Sequence, residues 1–222
     1  MSIRQSIVAR LFDGVDPFAS RAGVAVTRDP AALPEGWGSI HPYFEKYIRA
    51  VRPGLIVEVG TWLGGSAIHM GHLLRANGLA KSCILCVDTW LGSSEHYQYA
   101  EGRATMKLVN GRPSFYEDFM QNVAEHGLQD IILPFSITGT GAAQVLQELE
   151  IVPDLVYLDG DHAARAFRAD LDAYWELLRP GGAIIGDDFD WEGVQAEIIN
   201  FAYLTKVEFT SFNNKFAVQK PA

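Results

Sequence analysis

Two short stretches hold most of the groups that could do chemistry. Tyr157-Leu158-Asp159-Gly160-Asp161-His162 carries two carboxylates and an imidazole, and Ile185-Gly186-Asp187-Asp188 carries two more carboxylates. Each stretch closes an apolar run that reads as a buried strand. If those strands are neighbours, their axes lie about 4.8 Å apart and up to four carboxylates meet at one rim. Like charges that close repel, so some must protonate or find a cation. A hard divalent ion answers that need, and Mg²⁺ suits carboxylates, waters and substrate oxygens together. A plainer reading stays open beside it. Asp161 can cap the helix that begins near His162, and Asp187 and Asp188 can be loop acids beside a substrate amine. His162 can be a ligand, a base or a packing residue, and its place beside the oxygen cluster ranks it as a substrate contact.

A second constellation lies earlier. Glu58-Val59-Gly60-Thr61-Trp62-Leu63-Gly64-Gly65-Ser66 follows another apolar run. Glycines let the chain turn sharply and approach a ligand closely. The spacing is G-x-x-x-G-G, which does not match the dinucleotide fingerprint G-x-G-x-x-G. The next strand-like run ends in Asp88. A carboxylate there can accept both hydroxyls of a ribose, so Asp88 points to an adenosine-type ligand without saying which.

The elements that must position these groups alternate. Strands are expected at Leu55–Gly60, Ser82–Asp88, Asp130–Ser136, Asp154–Asp159 and Ala183–Asp187. Helices are expected at 39–51, Ser66–Ala76, Pro113–His126, Gly141–Leu149, Ala163–Leu178 and Gly193–Leu204. Val207–Thr210 and Lys215–Gln219 flank an Asn213-Asn214 turn and read as a hairpin. Five strand–helix units make a parallel sheet covered on both faces, and the hairpin adds an antiparallel strand. The expected fold is therefore α/β: a Rossmann-like three-layer sandwich on a seven-stranded, mostly parallel sheet with a C-terminal antiparallel hairpin strand. Ligands bind outside the carboxyl ends of such strands, where the acids lie. Residues 1–38 read as an irregular N-terminal arm, serving as a lid or a homodimer contact, and 39–222 as the domain.

Composition narrows the classes. With 222 residues and 48% apolar content, one substantial core is expected. The net charge of −9 disfavours nonspecific nucleic-acid binding. No run of eighteen apolar residues suggests a membrane span, and Met1–Arg10 lacks the apolar stretch of a signal peptide, so a cytoplasmic protein is expected. Cys83 and Cys86 form a C-x-x-C, but on a strand residues three apart face opposite sides. They are expected to be buried structural thiols. His69 and His72, on the first helix after the glycine loop, read as structural or solvated.

Taken together, these residues resemble the class I S-adenosylmethionine (SAM)-dependent methyltransferases, and within them the macrocin O-methyltransferase-like group (methyltransferase domain 24). The resemblance covers roughly residues 40–220. It is carried by Glu58-Val59-Gly60-Thr61 with Gly64-Gly65-Ser66, by Val87-Asp88-Thr89, by Leu158-Asp159-Gly160-Asp161-His162, and by Arg179-Pro180-Gly181-Gly182 followed by Gly186-Asp187-Asp188. It implies a SAM cofactor. Glu58, Gly60 and Ser66 would line its methionine and ribose side and Asp88 would hold the ribose diol. The stretch Ser136–Thr140 would lie near adenine, and Thr61, Thr89, Thr138 and Asp159 complete the implied cofactor set. Asp159, Asp187 and Asp188 would ligate Mg²⁺. Asp161 would be the general base, with His162 as its catalytic neighbour. The acceptor would be a hydroxyl of a small molecule, a sugar or natural-product glycoside, and Thr89–Arg112 would shape its pocket. Two other classes compete. A nicotinamide-dependent oxidoreductase explains the alternation and Asp88, but not the glycine spacing or the acidic rim. A non-catalytic Rossmann-like binding module explains the fold, but not the intact acids.

Overall fold

The structure, a computed structural model, describes residues 2–34, 36 and 38–222, leaving aside the side chains of Ser94 and Glu95. The five expected parallel strands are β1 (Leu55–Val59), β2 (Cys83–Asp88), β3 (Ile132–Ser136), β4 (Leu155–Leu158) and β5 (Ala183–Gly186). The expected hairpin is β6 (Phe209–Phe212) and β7 (Lys215–Gln219). The sheet runs β3-β2-β1-β4-β5-β7-β6. Strands β1 to β5 pair in parallel, and β7 lies antiparallel between β5 and β6. The fold is the expected one, a seven-stranded α/β sandwich.

Strand order reverses at β1, which pairs β2 on one side and β4 on the other. A parallel sheet opens a crevice at such a point, at the carboxyl ends of its strands. Ladder bonds carry past those ends. Gly60 N donates to Val87 O at 2.9 Å, Asp159 N to Val59 O at 2.8 Å and Asp187 N to Leu158 O at 2.9 Å. The residues just beyond each strand are therefore fixed by the sheet itself.

Every residue of β1 is buried, as a strand covered on both faces requires. One face packs on α2 (Pro42–Val51), α3 (Gly65–Ala76) and α6 (Phe115–Glu125). The other packs on α1 (Ile3–Leu11), α7 (Gly139–Glu148), α8 (Ala164–Leu177) and α9 (Glu192–Thr205). The two cysteines show the alternation: Cys86 belongs to the first face and Cys83 to the second. Both are free and buried, as expected, and burial pushes the Cys83 thiol up to about 12.

The N-terminal segment departs from expectation. It is not irregular: Ile3–Leu11 is helical, and Ile7 and Phe18 are buried in the core. Ser2 and Gln5 close a reciprocal capping box, Gln5 N to Ser2 Oγ at 3.2 Å and Ser2 N to Gln5 Oε1 at 2.9 Å. That S-x-x-Q was the legible signal, hidden by the weak apolar periodicity of a short helix carrying Arg4, Gln5 and Arg10. Farther on, Thr27 N and Arg28 N donate to Glu125 O, tying the segment to α6. Met1, Glu35 and Trp37 of the expected arm lie outside the described residues. The Thr89–Arg112 segment holds two short helices not foreseen, α4 (Ser94–Gln98) and α5 (Ala100–Thr105). Among the described residues no helix is long and apolar enough to cross a membrane.

Candidate active site

The turn after β1 is built around Gly60. Its φ is +84°, and a Cβ there would overlap the Asp159 carbonyl group. Only glycine lets the two strand ends cross this closely. Gly64, at φ +89°, then caps α3. The loop between them is clamped by Asp88. Thr61 N and Trp62 N donate to its Oδ2 at 2.9 and 2.8 Å, and Trp90 N donates to Oδ1 at 2.7 Å. A carboxylate has room for about four such bonds, so one acceptor direction is left for a ligand.

Glu58 is placed differently from the expectation. Strand alternation turns it beneath the loop, where it is fully buried and does not line the cavity described below. Thr61 Oγ1 donates to its Oε2 at 2.8 Å, the Ser66 hydroxyl donates to Oε1, and the Cys86 thiol lies 3.5 Å from Oε2. Burial pushes its carboxyl up to about 7, against the pull of those three donors. Glu58 therefore fixes the loop hydroxyls and reaches a ligand only through them.

Asp159 and Asp187 stand at neighbouring strand ends, since Leu158 is in register with Gly186. Tyr157 lies between them, its Oη 2.9 Å from Asp159 Oδ2 and 2.7 Å from Asp187 Oδ2. The charge conflict expected of this rim is resolved by two routes. Burial first, and the Asp187 charge next, push the Asp159 carboxyl well above the usual range. Asp187, itself buried, is ion-paired with Lys215, whose Nζ also donates to Tyr157 Oη at 2.8 Å. The phenol has one proton to give. It faces both carboxylates as a donor, Asp187 at the shorter distance, and its oxygen accepts from Lys215.

The consecutive acids part company. Asp188 adopts left-handed backbone, φ +56°, and its N donates to Asp187 Oδ1 at 2.9 Å. Its own carboxylate turns to His162, Oδ2 to Nε2 at 2.8 Å, and Asn214 Nδ2 donates to Oδ1 at 3.3 Å. Burial works to raise Asp188, but the His162 bond and the His162 and Lys215 charges outweigh it and hold the carboxyl low. The His162 ring also lies against Trp191, centroids 4.9 Å apart. Asp161 is exposed, and its Oδ1 accepts from Ala163 N at 2.8 Å at the start of α8.

These groups share one cavity of about 1320 Å³ at the carboxyl ends of the strands. Gly60, Thr61, Ser66, Asp88, Thr89, Thr138, Asp159, Asp161, His162, Asp187 and Asp188 all line it. Glu58 alone of the expected site residues does not. Thr138 also caps α7, accepting from Gly141 N at 3.3 Å. Trp62, Trp90, His96 and Phe115 form an aromatic wall. Four contributors were missed. Lys215 and Tyr157 complete the rim, and His41 lines the cavity while its Nδ1 caps α2. Asp170 also lines it, and burial pushes its carboxyl up to about 6. Asp170 sits beside the apolar stripe of α8, and periodicity marks that stripe without showing what the next row faces.

Of the three expected metal ligands, Asp159 and Asp188 group with His162, with ligand atoms within 4.8 Å of one another. Asp187 does not join them. Its oxygens already receive Lys215, Tyr157 and a backbone N–H, and His162 and Asp188 are bonded to each other. The three-carboxylate Mg²⁺ set does not fit this arrangement. The cofactor cleft does fit SAM: a glycine turn, hydroxyls of Thr61, Ser66 and Thr138, and carboxylates of Asp88 and Asp170 surround a volume large enough for it and an acceptor.

Known structures share this architecture. An O-methyltransferase from Bacillus cereus in complex with SAH is similar at 18% identity, with a TM-score of 0.60 over 92% of this chain and 96% of that one. The O-methyltransferase NovP is similar at 19% identity, with a TM-score of 0.58 over 81% and 78%. CalS11, a TDP-rhamnose 3′-O-methyltransferase in calicheamicin biosynthesis, is similar at 18%, with a TM-score of 0.53 over 80% and 77%. A family model described as a methyltransferase domain matches residues 57–189, more than half of the chain and every rim residue but Lys215. That match decides against the nicotinamide-dependent and non-catalytic readings. The chain belongs to this methyltransferase family and is a class I SAM-dependent methyltransferase.

Proposed function

We propose that this enzyme methylates a hydroxyl of a small molecule, a sugar or a natural-product glycoside, and that His162 is the base. The observation that carries the proposal is the His162–Asp188 pair on the wall of the cofactor cavity. Bound SAM supplies an electrophilic methyl group. A neutral hydroxyl is a poor nucleophile, so the protein must take its proton as the new bond forms. His162 accepts that proton, and Asp188 orients the ring and stabilises the imidazolium, the role an acid plays behind a catalytic histidine. Asp161 keeps the start of α8 in place. Its exposed carboxylate, already bonded to Ala163 N, is the weaker base candidate.

The acceptor class rests on two supports. The cavity is larger than the cofactor needs, and it is walled by Trp62, Trp90, His96, Phe115 and Trp191 beside Asn213 and Asn214. Aromatic faces with nearby amides suit sugar rings and glycosides, which need both stacking and hydrogen bonds. CalS11, of like fold, is described as acting on TDP-rhamnose. A test incubates the enzyme with labelled SAM and a panel of sugar nucleotides, glycosides and catechols, reading label in product. Transfer to a sugar hydroxyl, lost in His162→Ala with affinity for S-adenosylhomocysteine kept, is the expected result. Transfer to nitrogen or carbon acceptors only would end the proposal.

A further inference from the structure

We propose that the Lys215 ammonium is this site's built-in cation: fixed beside Asp187 at the ends of β4 and β5, it takes the place of a divalent ion, and the enzyme works without one. Three independent placements support this. First, topology brings it there. β7 runs antiparallel to β5, with Phe216 opposite Gly186, so the first residue of β7 arrives at the rim where β5 ends. A hairpin strand entering from the other end would have left Lys215 at the floor of the sheet.

Second, the ammonium is held as a fixed charge. Lys215 is 1% exposed, and lysine is almost never that buried unless paired. It bonds Asp187 Oδ2 and Tyr157 Oη, and its Nζ lies 5.0 Å from the Tyr157 ring centroid and 5.6 Å from that of Phe44. Gly38 closes over it. A Cβ at Gly38, whose φ is +67°, would lie 2.9 Å from Nζ and 3.2 Å from Asp187 Oδ2, so a side chain there would press on the ion pair.

Third, its charge reaches the whole rim. Lys215 lines the same cavity as Asp159, Asp187 and Asp188, pairs Asp187 directly and reaches Asp159 through the Tyr157 hydroxyl that both touch. Those are the three carboxylates expected to hold a divalent ion. A second cation among them would face the repulsion of the ammonium already fixed beside Asp187. An ammonium cannot bind and acidify an acceptor hydroxyl as a metal does, which leaves proton removal to His162. The inference deepens the proposed reaction and rests on it for that last consequence only.

Mn²⁺ binding tests it without turnover. The purified full-length chain, stripped with a chelator, is titrated with Mn²⁺ and followed by the electron paramagnetic resonance of free ion and by Tm. S-adenosylhomocysteine binding is measured on the same sample, so a failure of the methyltransferase site is seen separately. The wild-type chain is expected to take up no Mn²⁺ in the micromolar range and to show no change in Tm. Lys215→Met is expected to melt lower, to gain Mn²⁺ uptake and to recover Tm as Mn²⁺ is added, with the gain lost in Lys215→Met/Asp187→Asn. If Lys215→Met does not fold, the wild-type titration decides alone. One Mn²⁺ bound per wild-type chain at micromolar Kd would overturn the proposal. So would a folded Lys215→Met with unchanged Tm and no uptake.

Discussion

Asp188 Oδ2 lies 2.8 Å from His162 Nε2, and the two come from the ends of neighbouring strands rather than from one loop. The left-handed backbone of Asp188 separates it from Asp187 and leaves it free to hold the imidazole. If His162 is the base, His162→Ala and Asp188→Asn should each lower kcat by about 10²–10⁴. The double variant should be little worse than either single one, because the pair acts as a unit. The KM for SAM should change little. Steady-state kinetics with the first accepted substrate measures this. Losses that multiply in the double variant would separate the two roles.

Asp161→Asn should keep kcat within about threefold of wild type, since an asparagine oxygen can still accept from Ala163 N. A loss as large as that of His162→Ala would return the role of base to Asp161.

Glu58 makes stability depend on pH in a stated direction. Its folded carboxyl sits at about 7 against an unfolded value of 4.5, with burial as the first cause. A raised carboxyl binds its proton more tightly in the folded chain. Its contribution is fully present below the unfolded value and is lost as pH rises through about 7, a change of about 3 kcal/mol. Between pH 5 and pH 8 the Tm of wild type should therefore fall by roughly 6–12 °C more than that of Glu58→Gln. The difference between the two curves removes the other groups titrating there, Asp170 among them. Parallel curves would show that Glu58 stays ionised under the loop.

Gly60→Ala should cost on the order of 3 kcal/mol or more, from the added Cβ against backbone and the positive φ together. A denaturant melt measures it. A variant as stable as wild type would mean that the β1 and β4 ends do not cross as closely as described.

Much of this was legible beforehand for a physical reason. Strand ends carry the chemistry in a parallel sheet, and acids after apolar runs mark them, so Asp88, Asp159, Asp187 and Asp188 could be placed at one rim. What spacing alone does not carry is which partner each carboxylate meets. Asp187 finds a lysine from a strand that arrives last and antiparallel, and the pairing is visible only when β7 is laid beside β5. Glu58 misled because an acid at a strand end suggests a ligand, whereas one residue earlier the alternation turns it under the loop. The N-terminal helix was missed because α1 is short and polar, and its evidence is the Ser2–Gln5 box rather than periodicity.

Calorimetric titration with S-adenosylhomocysteine tests most directly that the cleft beside Gly60 and Asp88 is the cofactor site. The geometry predicts one saturable site per chain, weakened about tenfold or more, ~1.4 kcal/mol, in Asp88→Asn, and no heat from NAD. Binding of NAD in place of S-adenosylhomocysteine, or S-adenosylhomocysteine affinity indifferent to Asp88, would contradict it.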